Sequence, residues 1–449
     1  MMKKNILIAW LCIMNLTVCF GQNRAQTLRN RYITPIADDA NRIWIMAHRG
    51  AWDEQNPESS LTSFQNAVAY GFEILELDMR FSASYNVNGS PSRDIILQHD
   101  KSNQRSDFSN GTWKPATGLY SYSGTQTFDA TAMKPNKSMV PSINGATTPL
   151  SFILLDKLLP FTSNSLNSID AAGPTPPILL KLDGSNSTSS LLHFPKTAVY
   201  TTNTSSPNYN ASWNSFYTAV NGNILLNFDK MKDPQDFQDT YDLMNNNGLL
   251  SQCIFKAKGI NQFSDLNALF GNTTTTVRNL SNMMFTPIFT KYDYATLDAN
   301  SNITGPKMIN GVPMTQAQIL AAAEATVNSL NTANANGQIV FPGCEIVYET
   351  DASDPNFGWL ASLADYVKNT LGKRVVQFST NIENRQGAWS GTGNYWSALV
   401  GAQVNYWSWL YNNPPPSISN IKASVFVGDK PLEFRAYLNS LGYNQTPIQ

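Results

Sequence analysis

The sequence predicts an α/β fold whose parallel strands close into a barrel carrying loop insertions. Three observations predict it. Short β-rich runs alternate with helix-patterned stretches, the pattern of strands joined by crossover helices. The 449 residues suit one barrel with insertions. The residues able to do chemistry fall at the ends of the strand runs, where a barrel carries its active site.

In chain order the expected strands are Ile43–Ala47, Ile74–Met79, Ile95–Gln98, Ile178–Leu182, Ile224–Phe228, Cys253–Lys256, Met283–Phe289, Cys344–Tyr348, Arg374–Phe378 and Ser424–Gly428. The expected helices are Ser60–Tyr70, Leu150–Leu159, Pro234–Asn246, Gln316–Leu330, Trp359–Thr370 and Pro431–Leu438. The first has a Ser cap and apolar Leu61, Phe64, Ala67 and Val68 at helical spacing. Ten strand runs are two more than an eight-stranded barrel needs. Ile95–Gln98 reads as a short extra strand presenting His99, and Ile178–Leu182 leads into a polar stretch instead of a helix. We therefore expect one barrel over residues 22–449, with insertions near 101–148 and 161–221 at the rim where strands end.

A formal net charge of -1 and only 14% charged residues argue against a nucleic-acid partner, which requires clustered Lys and Arg. Residues 1–21 read as an export signal: Lys3 and Lys4, an apolar run from Ile6 to Cys19, and cleavage near Gly21, giving a periplasmic or secreted protein. Leu16-Thr17-Val18-Cys19 faintly matches a lipoprotein box, but Val18 is bulky where a small residue is expected. Membrane contact is expected only if the chain is lipidated or acts on lipid. Cys253 and Cys344, both in apolar strand runs, read as buried free thiols with no zinc spacing.

Glu76-Leu77-Asp78 ends a strand run, and strand alternation points both carboxylates to one face. Two acids so close favour a cation between them, and oxygen ligation implies Ca²⁺ or Mg²⁺. His48 and His99 each end an apolar run. A phosphodiester needs a base for the nucleophile and an acid for the leaving oxygen, and paired imidazoles supply both near neutral pH. Arg49 offers a planar fork to the phosphate.

With Asn56-Pro57-Glu58-Ser59, this order of motifs resembles the glycerophosphodiester phosphodiesterase family, which shows a His-Arg opening, a Pro-Glu-Asn-Thr-like turn, a Glu-x-Asp pair and a His-Asp pair. Pro149-Leu150-Ser151-Phe152-Ile153-Leu154-Leu155-Asp156 and Val427-Gly428-Asp429-Lys430-Pro431 extend the likeness over roughly Ile43 to Gly442. The resemblance implies a TIM-type (β/α)8 barrel that hydrolyses glycerophosphodiesters to an alcohol and glycerol 3-phosphate with a divalent cation. It implies His48 and His99 as the acid/base pair, Glu76 and Asp78 as metal ligands, and Arg49 and Glu58 on the phosphate side.

The family's next strand usually carries Glu-x-Lys, supplying a third ligand and a Lys facing the phosphate. Here chain order points to Asn227-Phe228-Asp229-Lys230, where alternation turns Lys230 away from Asn227 and Asp229. Asp229 is the preferred third ligand because a helix and a strand follow it; Asp183 in Lys181-Leu182-Asp183 is the competitor. Lys256 is the candidate for the missing phosphate cation, against a Lys turned to water. Glu345 reads either as a mouth residue or as a buried acid paired with a Lys, and His193 reads as structural. The aromatic stretch from Tyr395 to Tyr411 packs the barrel or lines a pocket for a sugar, a choline-like cation or a lipid head group.

Two rivals follow. One is a phospholipase of the phosphoinositide-specific or sphingomyelinase D kind, which a membrane-facing apolar rim would favour. The other is a catalytically impaired barrel that binds phosphate esters or glycans, for which the altered Glu-x-Lys strand is the main support.

Overall fold

The computed structural model describes residues 24–51, 61–81, 95–97, 199–201, 205–206, 211–298, 303–348, 357–379, 423–428 and 431–449, with short strands between residues 85 and 190. Eight parallel strands form the sheet: β1 (Trp44–Ala47), β2 (Ile74–Phe81), β3 (Leu225–Asp229), β4 (Cys253–Ala257), β5 (Met284–Phe289), β6 (Gly343–Tyr348), β7 (Arg374–Ser379) and β8 (Val425–Gly428). Each pairs with the next, β8 pairs with β1, and β1 also pairs with β2, so the sheet closes. This is the eight-stranded α/β barrel the alternation predicts. Ile95–Leu97 lies antiparallel on the far end of β2, with Met79 opposite Leu97. It is the expected extra strand, held outside the closed ring.

Among the described residues, seven α-helices follow the first strand: α1 (Leu61–Ala69), α2 (Ala211–Val220), α3 (Pro234–Asn246), α4 (Phe263–Leu269), α5 (Gln316–Ala335), α6 (Phe357–Asp365) and α7 (Pro431–Ser440). Local chemistry sets their starts. In α3, Asp236 reaches back to the amides of Lys232 and Asp233, and Pro234 opens the helix. In α5, Thr315 and Gln318 cap each other reciprocally. Three helices exceed the sequence expectations, one of them over residues 24–33. Ala211–Val220 falls in the segment read as an insertion, yet it packs Trp213, Phe216 and Val220 into the main core. Phe263–Leu269 is only seven residues long and buries Leu266.

Alternation divides the barrel's side chains. Ile45, Ala47, Leu75, Leu77, Leu226, Phe228, Phe255 and Phe285 join the core beneath the helices. Trp44, Met46, Ile74, Leu225, Ile254, Met284, Val376, Val425 and Val427 form a second cluster of the opposite parity, inside the barrel. Leu28 and Tyr32 join that second cluster. They come from a helix over residues 24–33, so this helix closes the end where the strands begin. Cys253 and Cys344 are free and buried, as expected. Among the described residues no helix is long and apolar enough to cross a membrane.

The expected elements Leu150–Leu159 and Ile178–Leu182, the export signal and Cys19, and the aromatic stretch 395–411 lie outside the described residues.

Candidate active site

Toward the C-terminal ends of the strands the interior changes from apolar to charged. The same parity that places Ile74 inside brings Glu76 and Asp78 inward. On β3, Leu225 is followed at that parity by Asn227 and Asp229. Parallel register sets Asn227 opposite Glu76 and Asp229 opposite Asp78. Ile254 is followed by Lys256, which lies opposite Thr286 of β5. Glu345 enters from β6 opposite Ile288. His48 follows β1, with its amide bonded to the Gly428 carbonyl of β8 at 3.1 Å.

The His48-Arg49-Gly50 turn is sharply bent. Arg49 has φ 59° and Gly50 has φ 91°. Left-handed backbone at a non-glycine residue costs roughly 1–3 kcal/mol and persists only where the surroundings enforce it. Here Ser63 of α1 enforces it: its Oγ donates to the Arg49 carbonyl at 3.1 Å and its carbonyl accepts from the Ala51 amide at 2.9 Å. A Cβ on Gly50 would lie 2.4 Å from that Oγ. The turn therefore needs glycine at position 50, and it aims His48 and Arg49 into the mouth.

The side chains converge. His48 Nε2 lies 3.4 Å from Glu76 Oε2, and Arg49 Nε lies 3.0 Å from Asp78 Oδ2, all four groups buried. One donor atom each from His48, Glu76 and Asp78 lie within 4.8 Å of one another. Lys256 Nζ stands among three carboxylates: 3.1 Å from Glu345, 3.4 Å from Glu76 Oε1 and 3.7 Å from Asp229. It is buried, so it is not a Lys turned to water, and Glu345 is both inside the barrel and paired with a Lys. The Phe378 ring meets His48 edge-on, with centroids 5.6 Å apart.

One expectation is corrected. Alternation sends Lys230 away from Asp229, but its Nζ lies 3.4 Å from Asp229 Oδ2. Lys230 stands just past the strand end with φ 64°, and a left-handed residue leaves the pleat that alternation assumes. The mouth thus holds a second ammonium group that pattern reading misses. Asp229 sits between both lysines and is not among the three side chains whose donor atoms cluster.

Charge follows from this geometry. Burial pushes the Glu76 carboxyl up to about 7; Asp78 and Asp229 push the same way, while His48 and Lys256 pull it down. Asp229 also suffers from burial, yet Lys230 and Lys256 hold it well below the usual carboxylate range. Lys256 is raised: burial opposes its charge, and Asp229, Glu345 and Glu76 overcome it.

The donor set suits a hard cation. Glu76 Oε2 and Asn227 Oδ1 are buried oxygens without a hydrogen-bond donor. A buried oxygen left so is costly unless something else satisfies it. Carboxylate and amide oxygens are the ligands Ca²⁺ and Mg²⁺ prefer. Strand alternation puts Asn227 on the face of Asp229, and its register opposite Glu76 makes it a candidate oxygen donor.

His99, Glu58, the competing Asp183, His193 and Asp429 lie outside the described residues. The structure brings together His48, Arg49, Glu76, Asp78, Asp229, Lys256 and Glu345, and adds Asn227 and Lys230.

No family model matches the chain, and no curated protein matches it. Among solved structures it is similar to a glycerophosphodiester phosphodiesterase from Parabacteroides distasonis, at 11% identity and a TM-score of 0.34, covering 90% of this chain and 98% of that one. It is also similar to an Oleispira antarctica phosphodiesterase in complex with the product sn-glycerol-3-phosphate, at 11% identity and a TM-score of 0.34, covering 90% of this chain and 99% of that one.

Proposed function

We propose that this chain is an exported, divalent-cation-dependent phosphodiesterase that hydrolyses glycerophosphodiesters to an alcohol and glycerol 3-phosphate. The observation that carries the reading is the buried convergence of His48, Glu76 and Asp78 beside Arg49 at the C-terminal mouth. The motif order around these residues supports the substrate class, and the charged run at Lys3 and Lys4 followed by an apolar segment supports export.

Glu76 and Asp78 would hold the cation, with Asn227 or Asp229 as the third oxygen donor. When bound, the cation supplies positive charge to the phosphate oxygens. Arg49 is placed beside Asp78, from where its guanidinium would hold the phosphate. His48 transfers a proton at Nε2, the atom facing the site, and His99 is its partner of opposite role. Lys256 keeps Glu76 and Glu345 in place and adds positive charge at the floor of the mouth. Phe378 limits the ring positions open to His48.

The test is release of glycerol 3-phosphate from glycerophosphocholine and glycerophosphoinositol by the signal-free protein, with Ca²⁺, with Mg²⁺ and with chelator. The expected result is metal-dependent release that disappears in His48→Ala and in His99→Ala. A folded protein that releases nothing with either metal would overturn the assignment.

A further inference from the structure

The loop between β5 and α5 leaves the same end of the barrel as the catalytic side chains, since it follows a strand's C-terminal end. It carries two β-hairpins. Ala295–Leu297 pairs with Ile303–Pro306, and Met308–Ile309 pairs with Val312–Pro313 across Asn310-Gly311. Asn310 has φ 51° and Gly311 φ 78°, the two positive angles of a tight two-residue turn. The hairpin is anchored at its base, where the Met314 amide donates to the Lys307 carbonyl at 2.9 Å and the Lys307 amide to the Tyr294 carbonyl at 2.9 Å. Met314 itself is buried in the core.

Its tip faces water with apolar residues on both sides. Met308 is 48% exposed, Ile309 51% and Val312 65%, and Pro313 beside them is exposed too. Ile309 opposes Val312 and Met308 opposes Pro313, so successive pairs point to opposite faces. A ribbon that buried one face in this protein would show polar residues on the other. This one shows apolar residues on each. Clustered exposed apolar side chains mark an interaction surface.

We propose that Met308–Pro313 is a docking tip that inserts into a phospholipid surface and seats the barrel mouth on it. Three features select a bilayer as the occupant. A ribbon end whose paired residues are apolar on both faces is surrounded by lipid on insertion, whereas a flat protein face covers only one side. Lys307 adjoins the tip and is exposed. Tyr292, 37% exposed with Lys291 Nζ 5.4 Å from its ring centroid, lies in the same loop. Aromatic and basic side chains of this kind settle at the water–lipid boundary. The purpose of docking rests on the phosphodiesterase reading; the binding itself does not.

The test is cosedimentation of the signal-free protein with vesicles of phosphatidylcholine mixed with phosphatidylglycerol. In parallel, glycerol 3-phosphate release from soluble glycerophosphocholine is measured. Wild type should cosediment. Ile309→Asp combined with Val312→Asp should weaken partitioning by about tenfold or more, and Val312→Trp should strengthen it severalfold. Turnover of the soluble substrate should stay equal in all three. Hairpin-dependent cosedimentation without any turnover would sink the phosphodiesterase reading and leave the docking tip standing. The proposal is overturned if wild type does not cosediment or if the double variant cosediments equally well. Self-association through the tip in the absence of vesicles would also overturn it.

Discussion

The two ends of the barrel both bury charge, and they treat it in opposite ways. Where the strands begin, the buried Asp39 and Glu73 carboxylates have both oxygens hydrogen-bonded. The Asp39 carboxylate accepts from Arg31 at 2.8 Å and from the Trp44 indole at 3.2 Å on one oxygen, and from the Ile36 amide and Arg374, each at 3.1 Å, on the other. Arg374 also donates to the carbonyls of Arg31 and Tyr32 and lies 4.7 Å from the Trp44 ring. Nearby, Glu73 accepts from Arg42 at 3.0 Å and from the Ile45 amide at 3.2 Å. At the mouth, Glu76 Oε2 and Asn227 Oδ1 make no hydrogen bond, three carboxylates crowd one Lys256, and burial raises the Glu76 carboxyl to about 7. A matched buried network serves the fold. A crowded one with bare oxygens is poised for an outside cation or phosphate.

This contrast can be broken by mutation, and the largest effect should be on turnover. His48→Ala is expected to lower glycerol 3-phosphate release by about 10²–10⁴-fold while the melting temperature stays within a few degrees. Asp39→Ala should do the reverse: removing one partner of a buried charge network costs roughly 3–5 kcal/mol, read as a lowered urea midpoint with turnover per folded molecule kept. Equal damage to both properties in either variant would dissolve the distinction.

The two ends should also answer pH differently. At the bottom, burial tends to raise the Asp39 carboxyl, and Arg31, Arg374, Ile36 and Trp44 outweigh it and lower it. Its stabilisation is therefore full above the unfolded value near ~4 and is lost as pH falls toward the depressed native value. At the mouth, Glu76 is raised to about 7, so in chelator its ionisation opposes folding increasingly between ~4 and 7. Glu76→Gln in chelator should thus be as stable as wild type at pH 3 and increasingly more stable from pH 5 to pH 8, by urea melts. A bound cation reverses the mouth's preference. The rise in melting temperature given by Ca²⁺ or Mg²⁺ should be larger at pH 8 than at pH 5, because a proton on Glu76 competes with the ion.

A smaller effect sharpens the third ligand. Asn227→Asp adds a carboxylate opposite Glu76 and should tighten cation binding about tenfold by calorimetry, with lower stability in chelator. No change in affinity would leave Asp229 as the candidate.

Much of this contrast is legible in the sequence, and unevenly. All eight barrel strands stand out because each is an apolar run before a polar strand end, with boundaries shifted by a residue or two. Glu76 and Asp78 were placed correctly on one face because period two holds within a strand. Lys230 was misplaced because its left-handed backbone ends that period. The helix over residues 24–33 was missed because its polar composition hides Leu28 and Tyr32, one turn apart. In Ala211–Val220, Asn, Ser and Thr lower helix propensity, yet the spacing of Trp213, Phe216 and Val220 was the available signal. Asn310-Gly311 between apolar pairs is a strong turn signal, but runs of two residues are too short for strand alternation to show. The matched network at the strand starts could not be read at all, since Asp39 and Arg374 are 335 positions apart and only the closed barrel joins them.

The most direct measurement is calorimetric titration of Ca²⁺ and of Mg²⁺ into the protein, beside Glu76→Gln and Asp39→Asn. One cation site is expected, which Glu76→Gln abolishes and Asp39→Asn leaves intact wherever that variant is folded. Cation binding that survives Glu76→Gln unchanged would contradict it.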